Sequence, residues 1–198
     1  MTQKRNVAWV IAPLANDATD APDSTYAAVG ENFKVRVPTA LRFAWEARLP
    51  SQVVTVAIVY GAGSDRAHAH GQTLAACCEQ YTRRLEPELP IHANRNAKRV
   101  FGTLAEMRWI IQCAEACYPH CDIKYVFVSQ RRHLYRVKWI TRLFFWNRDA
   151  TYIVAPQTKE IPLIREVLAY TKLLLARLGL ERMGDVIRRW RTLPYDRE

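Results

Sequence analysis

The sequence predicts an α/β fold: a three-layer Rossmann-like sandwich around a mainly parallel sheet of about five strands. Three observations carry this. Four short runs, residues 7–12, 53–60, 123–128 and 151–155, are β-branched or aromatic and nearly continuously apolar, as strands covered on both faces are. Helical patterns of about 10 to 18 residues fall between them. Strands and helices that alternate in this way close as right-handed βαβ units, which gives a parallel sheet.

Each element can be justified in turn. The first strand is 7–12. Segment 15–35 has turn-forming residues and no clear period, so it is either a lid over the neighbouring loops or a surface excursion. A helix over 38–47 starts with Pro38 near its first turn, where the missing N–H costs nothing. The second strand, 53–60, runs into Gly61-Ala62-Gly63-Ser64-Asp65. A helix over 68–85 leads to a weaker strand at 90–93. A helix over 104–117 follows Thr103, and Thr103 and Glu106 have capping-box spacing. The fourth strand, 123–128, meets Ser129 and a helix over 131–145. The fifth, 151–155, precedes a helix over 161–178, in which Ile164, Val167, Leu168, Thr171, Leu174, Leu175 and Leu178 make one apolar face. Gly179 stops that helix, and a short basic helix over 184–191 ends the chain.

Length and composition bound the rest. A chain of 198 residues reads as one domain, 1–198, and 49% hydrophobic with 24% charged residues excludes a disordered protein. The apolar stretches fall short of the roughly 20 residues a bilayer span needs. The basic N-terminus precedes only a short apolar run, which Asn16 and Asp17 follow, so no signal peptide is expected. Five cysteines, an odd number, suit a reducing compartment, and a cytoplasmic location is expected. A net charge of +10, with a pI near 9.6, favours anionic partners, or marks a merely basic soluble protein.

In a parallel sheet, ligands sit beyond the carboxyl ends of the strands, near the point where strand order reverses. That directs attention to the loops 13–17, 61–65, 94–103, 129–133 and 156–160. Ser129 is placed to cap the helix after it, and the free N–H groups of that helix's first turn can hold an anion. Arg131, Arg132, His133 and Arg136 add positive charge, with no acidic residue between 131 and 148. The alternative is a capped helix with a solvated basic face. Gly61 and Gly63 permit close backbone approach to a ligand, and Ser64 or Asp65 can cap a helix; a plain tight turn reads equally well. Thr103 offers a hydroxyl and Glu106 a carboxylate.

Cys113, Cys117 and Cys121 recur every four residues near His120, but Pro119 breaks the helix before the third. They read as buried thiols on a core-facing helix, and no metal site is expected. His68 and His70 read as surface residues. No nucleophile elbow, phosphate loop or zinc-protease motif is present. The tail residues Arg188, Arg189, Trp190 and Arg191 suit contact with nucleic acid or an acidic membrane, or a docked Trp with its arginines in water.

The order of these motifs resembles the YdcF/SanA/ElyC family of bacterial Rossmann-like domains. The matching features are Tyr60-Gly61-Ala62-Gly63, Leu89-Pro90-Ile91, Thr103 with Glu106, Phe127-Val128-Ser129 with His133 and Arg136, and Arg165-Glu166 at the start of the last long helix. The resemblance covers roughly residues 37–179. Ala12-Pro13-Leu14 stands where the family has glycines, Met107 stands where it has Asn, and residues 130–132 are more basic. With no membrane anchor expected, the soluble YdcF-like branch is the nearer. The resemblance implies a nucleotide-like or phosphate-bearing ligand, S-adenosylmethionine among the candidates, and a role linked to the cell envelope.

The expected function is binding of a small anionic ligand by Gly61, Gly63, Ser64, Asp65, Thr103, Ser129, Arg132 and Arg136. His133 and Glu106 are the groups for any hydrolysis or transfer at phosphate. Two other readings stand beside it. One is a basic module for nucleic acid or another anionic polymer; the other is a catalytically degenerate family member acting through protein partners.

Overall fold

β1 (Asn6–Pro13) is the middle strand of the sheet. It pairs in parallel with β2 (Val53–Tyr60) on one side and with β4 (Cys121–Ser129) on the other. β3 (Ile91–Ala93) adds to β2 and β5 (Ala150–Val154) to β4, giving the order β3-β2-β1-β4-β5, with every pair parallel. The computed structural model describes residues 6–14, 30–48, 53–61, 73–95, 102–156 and 163–179. The chain divides into two compact units, Met1–Thr158 and Lys159–Glu198.

In the first unit, side chains alternate across the sheet and fix its two covered faces. Ile11, Val56, Ile58, Tyr60, Val126 and Val128 point into one core, with α1 (Glu31–Arg48) and α2 (Leu74–Leu85). Phe33 of α1 sets its ring against Tyr60 and Tyr81, 5.5 Å and 6.3 Å between centroids. The opposite positions, among them Ala8, Val10, Ala57, Val59 and Phe127, are buried as well. They lie under α3 (Gly102–Cys117) and α4 (Arg131–Phe144), whose buried side chains include Met107, Ile110, Ile111, Leu134, Val137 and Ile140. The predicted sandwich is thus present, with a sheet that is parallel throughout.

Several element ends differ from the sequence reading. α1 begins at Glu31, so residues 31–35 are helical and Pro38 lies inside the helix. Proline there removes the N–H that would bond the carbonyl four residues back. The helix tolerates it because Phe33, Val37, Ala40 and Ala44 bury one face. α2 starts at Leu74 with Thr73 as its cap: Thr73 Oγ1 accepts from Ala76 N at 3.1 Å and donates to the Asn94 carbonyl at 2.8 Å. Asn94 in turn donates through Nδ2 to the Gly61 carbonyl at 3.3 Å, which ties the ends of β2 and β3 to the start of α2.

The second unit contains α5 (Leu163–Arg177), closed by Gly179 at φ 75°, a conformation glycine adopts without strain. On the apolar face expected for it, Val167, Leu174 and Leu178 are exposed and Leu168 and Leu175 half-buried, while Leu173, outside that face, is buried. Its Leu173-Leu174-Leu175 run puts leucine on several sides, so periodicity alone does not select a face. The predicted helix 184–191 lies outside the described residues, and no described helix is long and apolar enough to cross a membrane.

Candidate functional site

The strand order reverses between β1 and β4, and their carboxyl ends carry a buried polar chain. It starts from Arg36, which is fully buried on the inner face of α1. Its Nη1 donates to the Leu14 carbonyl just past β1, and its Nη2 donates to Gln130 Oε1 just past β4. Ser129 Oγ donates to the same Gln130 Oε1 at 3.5 Å and lies 2.8 Å from His133 Nδ1. His133 Nε2 lies 3.2 Å from Thr103 Oγ1, which also accepts from Arg136 Nη2 at 3.5 Å. Four segments far apart in sequence, at residues 14, 36, 103 and 129–136, are joined in this way.

Local structure explains each placement. Ser129 is the last residue of β4 and points to the α3/α4 side, opposite to Val128. It was expected to cap α4, but the cap residue is Gln130 (φ −68°, ψ 153°), which makes no side-chain cap bond. Its amide oxygen is engaged by Arg36, and the Ser129 hydroxyl by His133. His133 and Arg136 are three apart on α4 and share its inward face. Thr103 was expected to cap α3. It is instead inside that helix, half-buried, with its hydroxyl turned to His133 and Arg136.

A neutral imidazole donates at one ring nitrogen and accepts at the other, and a hydroxyl can take either role. With the Ser129 hydroxyl given to Gln130 Oε1, His133 Nδ1 donates to Ser129 Oγ and His133 Nε2 accepts from the Thr103 hydroxyl. Burial, then Arg136, then Arg36 hold the His133 pKa well below its ordinary value. The unfolded chain takes up this proton near pH 6.5, and the folded chain does so only at lower pH. Stability is therefore fully present above about pH 6.5 and falls as pH drops, by about 1.4 kcal/mol per unit from this group, until the folded-state value is reached. Urea unfolding at pH 7.5 and pH 5.5 checks this. Wild type is expected to lose more stability than His133→Gln between the two; equal losses would rule it out.

The other predicted residues are placed as follows. Glu106 is buried on α3 against Gly61, while both ring nitrogens of His133 face hydroxyls. The close approach at Gly61 is made by α3: a Cβ there would stand 2.6 Å from the Glu106 carbonyl oxygen and 2.9 Å from Ile110 Cγ1. Arg132 is exposed on the first turn of α4. Gly63, Ser64 and Asp65 lie outside the described residues, as do His68, His70 and residues 188–191. Burial first, then Cys77 and Glu106, push the Cys78 thiol well up, while Arg36 opposes them; both charges reach the inner surface of α2.

Sequence reasoning missed Arg36 and did not give Gln130 a role. A signal for Arg36 exists, since it falls on the same helical stripe as Phe33, Val37, Ala40 and Ala44. It is hidden when α1 is started at Pro38. A cleft of about 740 Å³ adjoins this site, lined by Pro38, Thr39 and Arg42 of α1, Arg131 of α4, and Val154, Ala155 and Pro156 after β5. Ala155 N donates to the Ser129 carbonyl at 2.9 Å, so the cleft wall is fixed to the polar chain. The cysteines also differ from expectation. The inward positions of α3 belong to Glu106, Met107, Ile110, Ile111 and Ala114, and Cys113 is half-buried and Cys117 exposed.

No protein-family model, curated protein or solved structure matches the chain.

Proposed function

We propose that this chain is a cytoplasmic, YdcF-like small-molecule domain that holds a phosphate-bearing, nucleotide-like ligand at the carboxyl ends of β1 and β4, in an envelope-related role. The observation that carries this is the buried chain Arg36–Gln130–Ser129–His133–Thr103 at the strand-order reversal, the position where open parallel sheets bind ligands. The neighbouring cleft has a volume suited to a small molecule. Arg42 and Arg131 line it, and the first-turn N–H groups of α4 adjoin it, so an anionic group is the natural guest. For hydrolysis or transfer at phosphate, His133 Nε2 is the acceptor for the Thr103 hydroxyl proton, and Thr103 is the outer member of the pair because His133 is fully buried. Glu106 lies against Gly61.

Thermal unfolding of the full chain with ADP, S-adenosylmethionine or an isoprenyl pyrophosphate tests this. A ligand at about 100 times its Kd stabilises the native state by about 2.7 kcal/mol. The expected result is a shift with a phosphate-bearing probe that disappears in Arg131→Ala, whose exposed side chain does not hold the fold. An equal shift in both proteins would refute the assigned site, and the absence of any shift would refute the ligand class.

One observation favours a second reading, a module for single-stranded nucleic acid. Tyr135, Trp139 and Trp146 are 56%, 40% and 81% exposed, and Arg132 and Arg142 are exposed along the same stretch. Aromatic rings that stack on bases, between cations that track the backbone, make such a surface. Binding of an oligonucleotide that falls steeply with salt and is lost in Trp139→Ala would select this reading over the first.

A further inference from the structure

The last turns of α3 and the middle of β3 bring together three groups that the site above does not use. Cys113 and Cys117 are four residues apart and stack on one side of α3. His92 projects from β3 beside them. A ring nitrogen of His92 and the two Sγ atoms all lie within 4.8 Å of one another, and Cys117 Sγ is 3.9 Å from His92 Nδ1. None of these cysteines is in a disulfide.

We infer that His92, Cys113 and Cys117 form a binding site for a thiophilic metal ion, Zn(II). Soft thiolates and an imidazole are its preferred donors, in contrast to the oxygen ligands of calcium and magnesium. Tetrahedral zinc at its usual bond lengths sets sulfur and nitrogen about 3.6 Å apart, so the 3.9 Å pair needs only a small contraction. The imidazole is already aimed. Its other nitrogen, Nε2, lies 3.0 Å from Tyr118 Oη, which turns Nδ1 toward the thiols, as an outer partner of a metal-bound histidine does. The Tyr118 ring packs edge-on against the same imidazole, 6.0 Å between centroids. With Cys117 exposed, the fourth position opens to water. The sequence pairs these cysteines with His120 by proximity; the fold brings His92 to them from β3.

The test uses the reduced, metal-free full chain and competes Zn(II) against a chromophoric chelator, with Co(II) as a spectroscopic substitute. One Zn(II) per chain with a sub-micromolar Kd is expected, and the Co(II) complex is expected to show thiolate charge-transfer absorption. Cys117→Ser, at an exposed position, and His92→Gln are each expected to weaken binding by about 100-fold. Tyr118→Phe, which only releases the ring, is expected to weaken it by about 10-fold. His120→Gln is expected to bind as wild type does. Equal affinity in wild type and Cys117→Ser, or loss of binding in His120→Gln, would overturn the site. So would the absence of Zn(II) binding by the fully reduced chain.

Discussion

Replacing Arg36 with Leu is expected to lower the unfolding free energy by about 3 kcal/mol, measured by chemical denaturation at neutral pH. The guanidinium donates to the Leu14 carbonyl and to Gln130 Oε1 from a fully buried position. Leucine removes the donor to the Leu14 carbonyl and one of the two donors to Gln130 Oε1, and a buried acceptor that loses its donor costs about 1–3 kcal/mol. Arg36→Lys is expected to recover only part of the loss, because an ammonium lacks the planar fork that reaches two acceptors at once. A double-mutant cycle with Gln130→Leu should show coupling well above 0.5 kcal/mol, the level seen for neighbours that share an interaction. A loss below about 1 kcal/mol for Arg36→Leu would mean that water replaces the guanidinium and that the chain of bonds is not a unit.

Gly61→Ala is expected to be nearly as damaging, because the nearest neighbour is a backbone atom. The added carbon would sit 2.6 Å from the Glu106 carbonyl oxygen, and no rotamer change relieves that contact. Either α3 lifts away from β2 or the variant bears the overpacking, at about 1–3 kcal/mol. The first outcome also carries Thr103, at the start of α3, away from His133. Denaturation reports the energy, and the imidazole nitrogen shifts of His133 report the displacement. A variant with wild-type stability and unchanged shifts would contradict the close packing of α3 on β2.

Much of this architecture is legible because strands buried on both faces cannot hide. Residues 53–60 read as a strand to the residue, and the other strand ends move by at most two. The convergence of Ser129, His133, Thr103 and Arg136 is legible too, since βαβ topology puts all carboxyl ends on one side. What escapes is tertiary. Pro38 looks like a helix start because its local cost favours one, and only the burial of Phe33 and Val37 against the sheet outweighs that cost. Arg36 finds Gln130 across 94 positions, beyond any local pattern. Gly61 announces a turn that approaches something, and the sequence does not say that the thing approached is a helix. Cys113 and Cys117 announce a helical pair, but His92 joins them only once β3 has docked on β2.

The central place of β1 has a consequence for biosynthesis. β1 is synthesised before the other strands of the sheet, and one of its edges is soon covered by β2. The other edge waits for β4, which starts at Cys121. Throughout that interval the nascent chain presents a row of unpaired N–H and C=O groups along this strand, a template for any extended segment nearby. Arg36 waits equally long for Gln130. Until Ser129 has emerged the growing chain is therefore most open to mispairing and most dependent on chaperones, and the last strand it needs is the one that completes its buried polar chain.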